Sequence, residues 1–258
     1  MKRILKIVGL LLVVFVVALA GVLLPALLGR RGLTDGVEVN GIRIVKDGMV
    51  GVAVVPAGER QVALIDAGND GAATAILAEL SRRNLGPDAV TAILLTHGHP
   101  DHTAGIAKFP NAQVMSLEAE ASIVEGRAGA RGPLPRLFPV RPTGVKVARS
   151  LKDGETVALG PTQVQVFAVP GHTAGSAAYL VNGVLLLGDA ADVSRDGNRV
   201  IGAPWVFSDS QAQDRASLVQ LDQRLVREHP DVKALAFAHS GVLTEGLTPL
   251  IVFAQGNR

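Results

Sequence analysis

Short apolar segments separated by turn-forming residues begin at residue 37. Segments 37–45, 49–55 and 61–65 are rich in β-branched and apolar residues, and Asn40-Gly41 and Asp47-Gly48 interrupt them. Asp-Gly between two such segments predicts a tight hairpin. Residues 72–85 follow, with Ile76, Leu77 and Leu80 on one helical stripe, which predicts an amphipathic helix. The pattern therefore predicts an antiparallel meander followed by a helix.

The rest of the chain alternates strands and helices in a similar way, which suggests two similar halves that each pair a sheet with helices. The clearest helix is predicted at 210–228, where Leu218, Leu221 and Leu225 form the buried stripe and Ser208 or Ser210 is the candidate N-cap. Further strands are predicted at 92–95, 113–115, 155–159, 163–168, 177–181, 184–187 and 232–238, and short helices at 104–108 and 118–125.

A long irregular loop is predicted at 127–142, which is rich in glycine and proline. It contains four arginines, which either meet an anionic group of a substrate or lie on a solvated surface. They are Arg127, Arg131, Arg136 and Arg141.

The N-terminus is an apolar segment of 22 residues, 7–28, between basic flanks. As a helix it would be about 33 Å long, close to the thickness of the hydrocarbon core of a bilayer. Residues 1–31 are predicted to be a signal anchor, with a cleaved signal peptide as the alternative because Ala18-Leu19-Ala20 resembles a cleavage site. Both interpretations place residues 32–258, a single predicted domain, outside the cytoplasm in the periplasm or extracellular space.

Charge and composition narrow the classes of partner. Five of the 25 basic residues and none of the 23 acidic residues precede Gly32, so the rest of the chain has 20 basic residues and a formal charge of −3. A mildly acidic domain argues against a nucleic-acid partner and favours a small-molecule substrate. The chain has no cysteine, so neither a disulfide framework nor a thiolate ligand or nucleophile is available.

Three of the six histidines lie within six residues, in His97-Gly98-His99-Pro100-Asp101-His102. This segment follows the predicted strand 92–95, so we expect a tight loop that projects its side chains together from a strand end. Neutral imidazole and carboxylate are ligands that zinc prefers. The segment therefore predicts a metal site.

Three more polar residues follow predicted strands. His172 comes after strand 163–168, Asp189 after the apolar segment 184–188, and His239 after 234–238. Each residue alone indicates little, because a single histidine at a strand end is usually structural and an aspartate often forms a turn. His229, before Pro230, is instead predicted to lie at a helix C-terminus, where a cation suits the dipole.

Five motifs, in family order, resemble the metallo-β-lactamase superfamily. They are Asp66 in Ile65-Asp66-Ala67-Gly68, the H-x-H-x-D-H segment, Gly171-His172-Thr173, Gly188-Asp189 and Ala238-His239-Ser240. The resemblance covers residues 37–240. It implies an α/β (α+β) fold, a four-layer αββα sandwich with a metal site at one edge of the two sheets.

The resemblance also implies a role for each side chain. His97, His99 and His172 are then ligands of a first metal ion, Asp101, His102 and His239 are ligands of a second, and Asp189 bridges both. Asp101 is also the expected catalytic carboxylate. Asp66 resembles the carboxylate that orients the histidine loop, since an imidazole ligand needs an acceptor for its other nitrogen. The implied cofactors are two Zn²⁺ ions, with iron or manganese as alternatives.

Departures from the family pattern favour some branches over others. Asp189 matches the glyoxalase II-like, lactonase-like and tRNA-processing branches, and the acidic, exported domain weighs against RNA processing. Only 19 residues follow His239, too few for the helical domain that binds glutathione in glyoxalase II. Tyr179 lies inside a predicted strand, so it matches the lactonase active-site tyrosine poorly.

We therefore expect a dinuclear zinc-dependent hydrolase, in which a hydroxide between the metal ions cleaves a thioester, lactone or ester. The alternatives are β-lactam hydrolysis and a non-catalytic metal-binding module of the same fold. Substrate specificity is expected to reside in the loops 127–142 and 193–207. Trp205 is expected either to line the pocket or to pack in the core, and three serines are expected to be structural or capping groups: Ser176, Ser208 and Ser240.

Overall fold

Two β-sheets lie face to face in the computed structural model, which describes residues 2–228 and 230–257. His229 and its predicted role lie outside the described residues. The strands of the first sheet follow one another in chain order: β1 (Val37–Val39), β2 (Ile42–Asp47), β3 (Val50–Gly58), β4 (Gln61–Ile65), β5 (Val90–Leu94), β6 (Gln113–Leu117) and β7 (Arg149–Leu151).

The first sheet changes from antiparallel to parallel pairing at β4. Strands β1 to β4 form the predicted antiparallel meander, and β1 turns into β2 through Asn40 (φ 50°) and Gly41 (φ 77°), as a two-residue hairpin requires. β4 to β7 pair in parallel. Because the carboxyl ends of parallel strands meet at one edge, the residues that follow β4 and β5 lie next to each other.

The second sheet has the strand order β15-β14-β11-β10-β9-β8. β11 and β14 are its parallel pair, so the residues that follow these two strands also share an edge. A separate two-stranded ribbon pairs β12 with β13. The strands are β8 (Thr156–Leu159), β9 (Thr162–Ala168), β10 (Ala177–Val181), β11 (Val184–Leu186), β12 (Ala191–Val193), β13 (Val200–Gly202), β14 (Ala234–Phe237) and β15 (Gly241–Leu243).

Helices cover the outer faces of both sheets and complete the predicted αββα sandwich. One apolar core lies between the sheets, a second lies between the first sheet and α2, and a third lies between the second sheet and α5 and α6. The predicted stripe of Leu218, Leu221 and Leu225 is buried in the third core. The helices are α1 (Lys2–Leu28), α2 (Thr74–Arg82), α3 (Pro100–Thr103), α4 (Ala121–Val124), α5 (Gln211–Glu228) and α6 (Thr248–Gln255).

The sequence prediction differs from the structure mainly at short elements. The histidine segment is not only a loop, because α3 begins at Pro100 and the predicted helix at 104–108 is a 3₁₀ turn over Ile106–Lys108. Strands β7, β12, β13 and β15 were not predicted, since three residues are too few to show a period of two. The apolar helix α6 was also missed. Loop 127–142 is irregular as predicted, apart from a 3₁₀ turn at Pro135–Leu137.

The N-terminal segment is one helix, and the residues after it are bound to the domain. Within α1 the apolar stretch Lys6–Ala26 is long enough to cross a membrane, and it is not buried against the rest of the protein. Beyond the helix, the Arg31 N–H donates to the Val193 carbonyl at 2.9 Å, and the Arg195 N–H donates to the Gly29 carbonyl at 2.9 Å. The helix end therefore has a fixed attachment beside β12.

Candidate metal centre

Two strand ends of the first sheet position the histidine segment. β4 ends at Ile65, one residue before Asp66, and the parallel β5 ends at Leu94, two residues before Thr96. The Asp66 N–H donates to the Leu94 carbonyl at 2.9 Å, which joins the two ends. Pro100 then occupies the first turn of α3, where its missing N–H costs no helical hydrogen bond.

The Asp66 carboxylate fixes the histidine segment through three hydrogen bonds. Its Oδ1 accepts the Thr96 N–H at 2.8 Å, and its Oδ2 accepts both the Thr96 hydroxyl at 2.8 Å and Nδ1 of His102 at 2.8 Å. The Asp66 backbone is left-handed (φ 65°), a conformation in which aspartate is enriched over most residues. The bond to Nδ1 leaves Nε2 of His102 facing the site.

Two hydroxyl groups determine which nitrogen of His97 and His172 carries the proton. The Thr96 hydroxyl donates to the carboxylate of Asp66, so its oxygen accepts from Nδ1 of His97 at 3.1 Å. In the same way the Ser208 hydroxyl donates to a backbone carbonyl at 2.9 Å and accepts from Nδ1 of His172 at 3.1 Å. Both imidazoles therefore present the lone pair of Nε2 to the site.

These two lone pairs converge on His99. Its Nδ1 lies 3.0 Å from Nε2 of His97 and 3.0 Å from Nε2 of His172. A tetrahedral zinc site with Zn–N bonds of about 2.05 Å separates its nitrogen ligands by about 3.3 Å. The three buried nitrogens already have nearly this spacing, so the group fits one divalent cation.

A second group lies beside the first and consists of Asp101, His102 and His239. Nδ1 of His239 donates to the Met49 carbonyl at 2.7 Å, which turns Nε2 toward the site. This Nε2 lies 3.5 Å from Oδ2 of Asp101. Nε2 of His102 is 3.8 Å from the same oxygen. Two imidazoles and one carboxylate thus face a common point.

The Asp189 carboxylate lies between the two groups. Its Oδ1 is 3.3 Å from Nε2 of His102, and its Oδ2 is 3.1 Å from Nε2 of His239 and 3.5 Å from Nε2 of His172. Within the described residues, Nε2 of His102 and Oδ1 of Asp189 are buried without a hydrogen-bond partner. Because an unpaired buried polar atom is costly, this arrangement fits a second cation next to the first.

The charge states of the imidazoles agree with this fit. Burial, with the neighbouring imidazoles, lowers the pKa of His97 well below its usual range and the pKa of His172 to about 3, so both are neutral and available as ligands at neutral pH. Burial also opposes the charged form of His102, but the carboxylates of Asp189 and Asp66 raise its pKa well above its usual range. These carboxylates favour a proton on the His102 imidazole, and a cation bound at Nε2 of His102 would take the place of that proton.

Glu120 is a buried residue of the site that the sequence did not reveal. Its Oε1 accepts the Gly98 N–H at 2.7 Å, and its Oε2 accepts the Thr173 hydroxyl at 2.8 Å and the Gly175 N–H at 2.8 Å. Burial raises its pKa to about 7 despite these bonds. The carboxyl group joins the loop of His97 and His99 to the loop of His172. A glutamate in a short helical turn gives no sequence signal for this role.

A cavity of about 350 Å³ adjoins both groups, and His99, Asp101, Asp189 and His239 line it. Loops 127–142 and 193–207, in which substrate specificity is expected to reside, both contribute to its wall. None of the four arginines in loop 127–142 lines this cavity. The wall is mostly apolar and includes Met49, Leu134, Pro135, Phe138, Pro204 and Phe207.

The structure also shows where the predicted strand tyrosine, the single tryptophan and the two N-cap candidates lie. Tyr179 lies inside strand β10, as predicted, and it is a buried residue whose hydroxyl donates to a backbone carbonyl at 2.7 Å. Trp205 is half exposed and lines a separate depression next to the end of α1, so it neither packs in the core nor lines the cavity. Ser210 caps α5 by accepting the Gln213 N–H at 3.2 Å, whereas Ser208 is bonded to His172.

All seven predicted ligands and Asp66 therefore lie together at the edge of the two sheets where the parallel strands end. The histidine segment follows β5, His172 follows β9, Asp189 follows β11 and His239 follows β14. Asp66 follows β4, so five strand ends from two sheets build one site.

Known proteins with similar sequences are hydroxyacylglutathione hydrolases. That of Photobacterium profundum is 33% identical over 123 residues, which are 46% of this chain and 39% of the relative. That of Halorhodospira halophila is 32% identical over 157 residues, which are 58% of this chain and 51% of the relative. The chain thus aligns with about half, or less, of the length of these relatives.

Solved structures with the same fold include subclass B3 metallo-β-lactamases. BJP-1 of Bradyrhizobium japonicum has a TM-score of 0.64 and 20% identity, with 89% of this chain and 92% of that chain covered. At these identities the likeness shows the fold alone. The sequence model of the metallo-beta-lactamase superfamily matches residues 47–227, which include every predicted ligand except His239. The chain belongs to the metallo-beta-lactamase superfamily.

Proposed function

We propose that this protein is a dinuclear zinc-dependent hydrolase that cleaves a small carbonyl substrate, a thioester, lactone or ester. One observation carries the proposal. Hydrogen bonds to Thr96, Ser208 and Met49 preset three imidazoles so that their Nε2 lone pairs face the two metal positions. Such preorganisation is expected of a working metal site, in which acceptors behind the ligands fix each tautomer.

Each position has a defined set of candidate ligands. His97, His99 and His172 would hold one zinc ion, and Asp101, His102 and His239 would hold the other. Asp189 would contact both. Two zinc ions, when bound, lower the pKa of a water molecule toward neutrality and polarise the carbonyl group of the substrate. The protein keeps three of these imidazoles in the required tautomer and supplies a mostly apolar wall that orients the substrate.

The thioester class is supported by the names of the sequence relatives, which are hydroxyacylglutathione hydrolases. The apolar wall of the cavity supports a substrate with an apolar part, since burial of apolar surface contributes about 25 cal/mol per Å² to binding. β-Lactam hydrolysis is the second candidate, because the B3 metallo-β-lactamases share the fold. The complete ligand set favours an enzyme over a non-catalytic metal-binding module.

The test is a hydrolysis panel on the full chain in detergent micelles, loaded with zinc. It compares thioesters, lactones, aryl esters and a β-lactam, with Asp101→Asn as the blank, and bound zinc is counted by atomic absorption. We expect turnover of a thioester, lactone or ester that is lost in Asp101→Asn, and two zinc ions per chain. Selective turnover of the β-lactam would favour the second candidate. Full activity in the blank, or a chain that binds no zinc, would refute the proposal.

We also propose that α1 remains as a membrane anchor with the domain outside the cytoplasm. The support is the apolar stretch Lys6–Ala26 and the basic residues at its two ends. Lys2, Arg3 and Lys6 lie at the N-terminal end, and Arg30 and Arg31 follow the C-terminal end. Residues 29 and 31 are hydrogen-bonded to the domain, so the span leads directly into folded structure. N-terminal sequencing of the mature protein and extraction of membranes at high pH test this. A soluble product that begins after Ala20 would contradict it.

A further inference from the structure

The cavity of the metal centre lies close to the end of the candidate anchor. The apolar span ends at Ala26, and Arg30 lines the cavity. Four residues of extended chain reach at most about 14 Å, so this wall of the cavity lies within that distance of the end of the span. Arg30 is not a loose tether, because its Nη1 lies 3.1 Å from Oδ2 of the buried Asp192. With α1 in a bilayer, as proposed above, the cavity would therefore lie near the membrane surface.

Exposed apolar side chains collect on the same side of the domain. Outside α1, the described residues include seven large apolar side chains that are exposed, and five of them belong to the cavity wall or to segments next to it. Phe138 and Met49 line the cavity itself and are 65% and 54% exposed. Trp205 lines a depression together with Pro25 and Ala26 of α1. The other two are Leu137 and Val140.

Basic side chains accompany this apolar surface. Arg136 and Arg141 are exposed within three residues of Phe138, and no ion pair to either is found in the described part of the chain. A mixture of tryptophan, phenylalanine and arginine is typical of protein surfaces at the interface of a bilayer, where the rings lie among the headgroups and the cations meet anionic lipid. In water alone, an apolar surface of this kind next to a cavity would have no partner.

We propose that the mouth of the cavity lies against the bilayer that holds α1, and that the substrate carries an apolar chain that enters the site from this bilayer. The choice of substrate rests on the hydrolase function proposed above, whereas the orientation of the mouth rests only on the membrane anchor proposed for α1. The apolar chain then lies along Phe138, Leu134 and Phe207, and the carbonyl group meets the metal centre. The bilayer covers Leu137, Val140 and Trp205, which do not line the cavity.

Trp205 provides a direct test because it is the only tryptophan in the chain. The full chain is reconstituted into vesicles of phosphatidylcholine and phosphatidylglycerol, with and without bromine on the acyl chains, and its fluorescence is recorded. Because bromine quenches only at contact distance, we expect Trp205 emission to be clearly lower in brominated than in unbrominated vesicles, as for a tryptophan that lies at the membrane interface. Aqueous iodide should quench it little.

The matched control moves the fluorophore to another exposed apolar position. Val226 on α5 is 44% exposed and does not line the cavity. In the double variant Trp205→Phe, Val226→Trp, we expect no quenching by brominated lipid and strong quenching by iodide. Unquenched Trp205, or equal quenching at both positions, would overturn the proposed orientation, and neither result depends on whether the enzyme is active.

The substrate class is tested by placing the substrate in the same membrane or in a different one. A long-chain acyl thioester is incorporated either into the vesicles that hold the protein or into separate vesicles, and a short-chain water-soluble thioester serves as the reference. We expect hydrolysis of the long-chain substrate to be at least about tenfold faster in the same vesicles, corresponding to about 1.4 kcal/mol. Equal rates in the two arrangements would overturn the substrate class. If neither substrate is hydrolysed, the hydrolase function itself fails, while the fluorescence result still decides the orientation of the mouth.

Discussion

Asp214 is a buried carboxyl group whose replacement by asparagine should remove a loss of stability that the wild type undergoes between pH 5 and pH 8. The residue is fully buried near the start of α5. Its Oδ2 accepts the Ala203 N–H at 3.2 Å, and its Oδ1 has no hydrogen-bond partner in the described part of the chain. Burial raises the pKa of Asp214 to about 7 from an unperturbed value of 3.8. The folded protein therefore binds this proton more tightly than the unfolded chain does.

The sign of the pH dependence follows from that difference. Between pH 3.8 and about 7 the folded state holds more protons at this group, so the free energy of unfolding falls as the pH rises through the window. A shift of about 3 pKa units corresponds to about 4 kcal/mol, which is present below the unfolded pKa and lost above the folded one. Of this amount, about 3 kcal/mol is lost between pH 5 and pH 8.

The assay is urea unfolding of the wild type and of Asp214→Asn in detergent micelles at pH 5 and pH 8, at one zinc concentration. We expect the stability difference, variant minus wild type, to become more positive by about 3 kcal/mol at pH 8 than at pH 5. Taking this difference cancels other groups that titrate in the same window, such as Glu120. Asp196→Asn is the control, because the pKa of the exposed Asp196 is lowered through its bond to Ser194. Its carboxyl group is therefore ionised in both the folded and the unfolded state between pH 5 and pH 8, and the stability difference for this variant should not change over that range. Parallel pH profiles for the wild type and Asp214→Asn would refute the reasoning.

Three further predictions concern the positioning of the site. Asp66→Asn keeps the left-handed backbone but puts an N–H opposite an imidazole N–H, so zinc affinity in a competition titration should fall about 10- to 100-fold; unchanged affinity would show that the carboxylate does not act on the ligands. Ser208→Ala should weaken zinc binding with little loss of stability, because Ser208 is bonded to His172. Ser210→Ala should lower the free energy of unfolding by about 1 kcal/mol and leave zinc affinity unchanged, because Ser210 caps α5. The reverse pattern would mean that Ser208 is the helix cap. Gly175→Ala places a Cβ 2.4 Å from a backbone nitrogen and should lower the free energy of unfolding by at least about 2 kcal/mol, measured by thermal unfolding. The control Gly86→Ala, whose Cβ meets nothing within 4 Å, should leave the free energy of unfolding unchanged in that measurement.

Local sequence patterns were sufficient for most of the larger elements. The meander β1 to β4 followed from turn residues with a positive φ, and α5 followed from its leucine stripe, because both signals depend only on neighbours along the chain. The three-residue strands β12 and β13 were missed since their pairing exists only in the folded protein. Helix α3 was also missed, because it has only four residues and begins inside the histidine segment.

The sequence by itself determined the chemistry of the metal centre. Residue type shows that imidazole and carboxylate ligands are available, and their positions directly after buried strands show that they lie at one edge of the sheets. Only the tertiary structure decided how that chemistry is held. Glu120 joins loops that are far apart in sequence, Ser208 sets the tautomer of His172, and Arg30 brings the cavity to the end of α1. A hydrogen bond between residues distant in the chain leaves no local pattern, since either partner alone is an ordinary polar residue. Folding brings them within bonding distance, and the role appears only then.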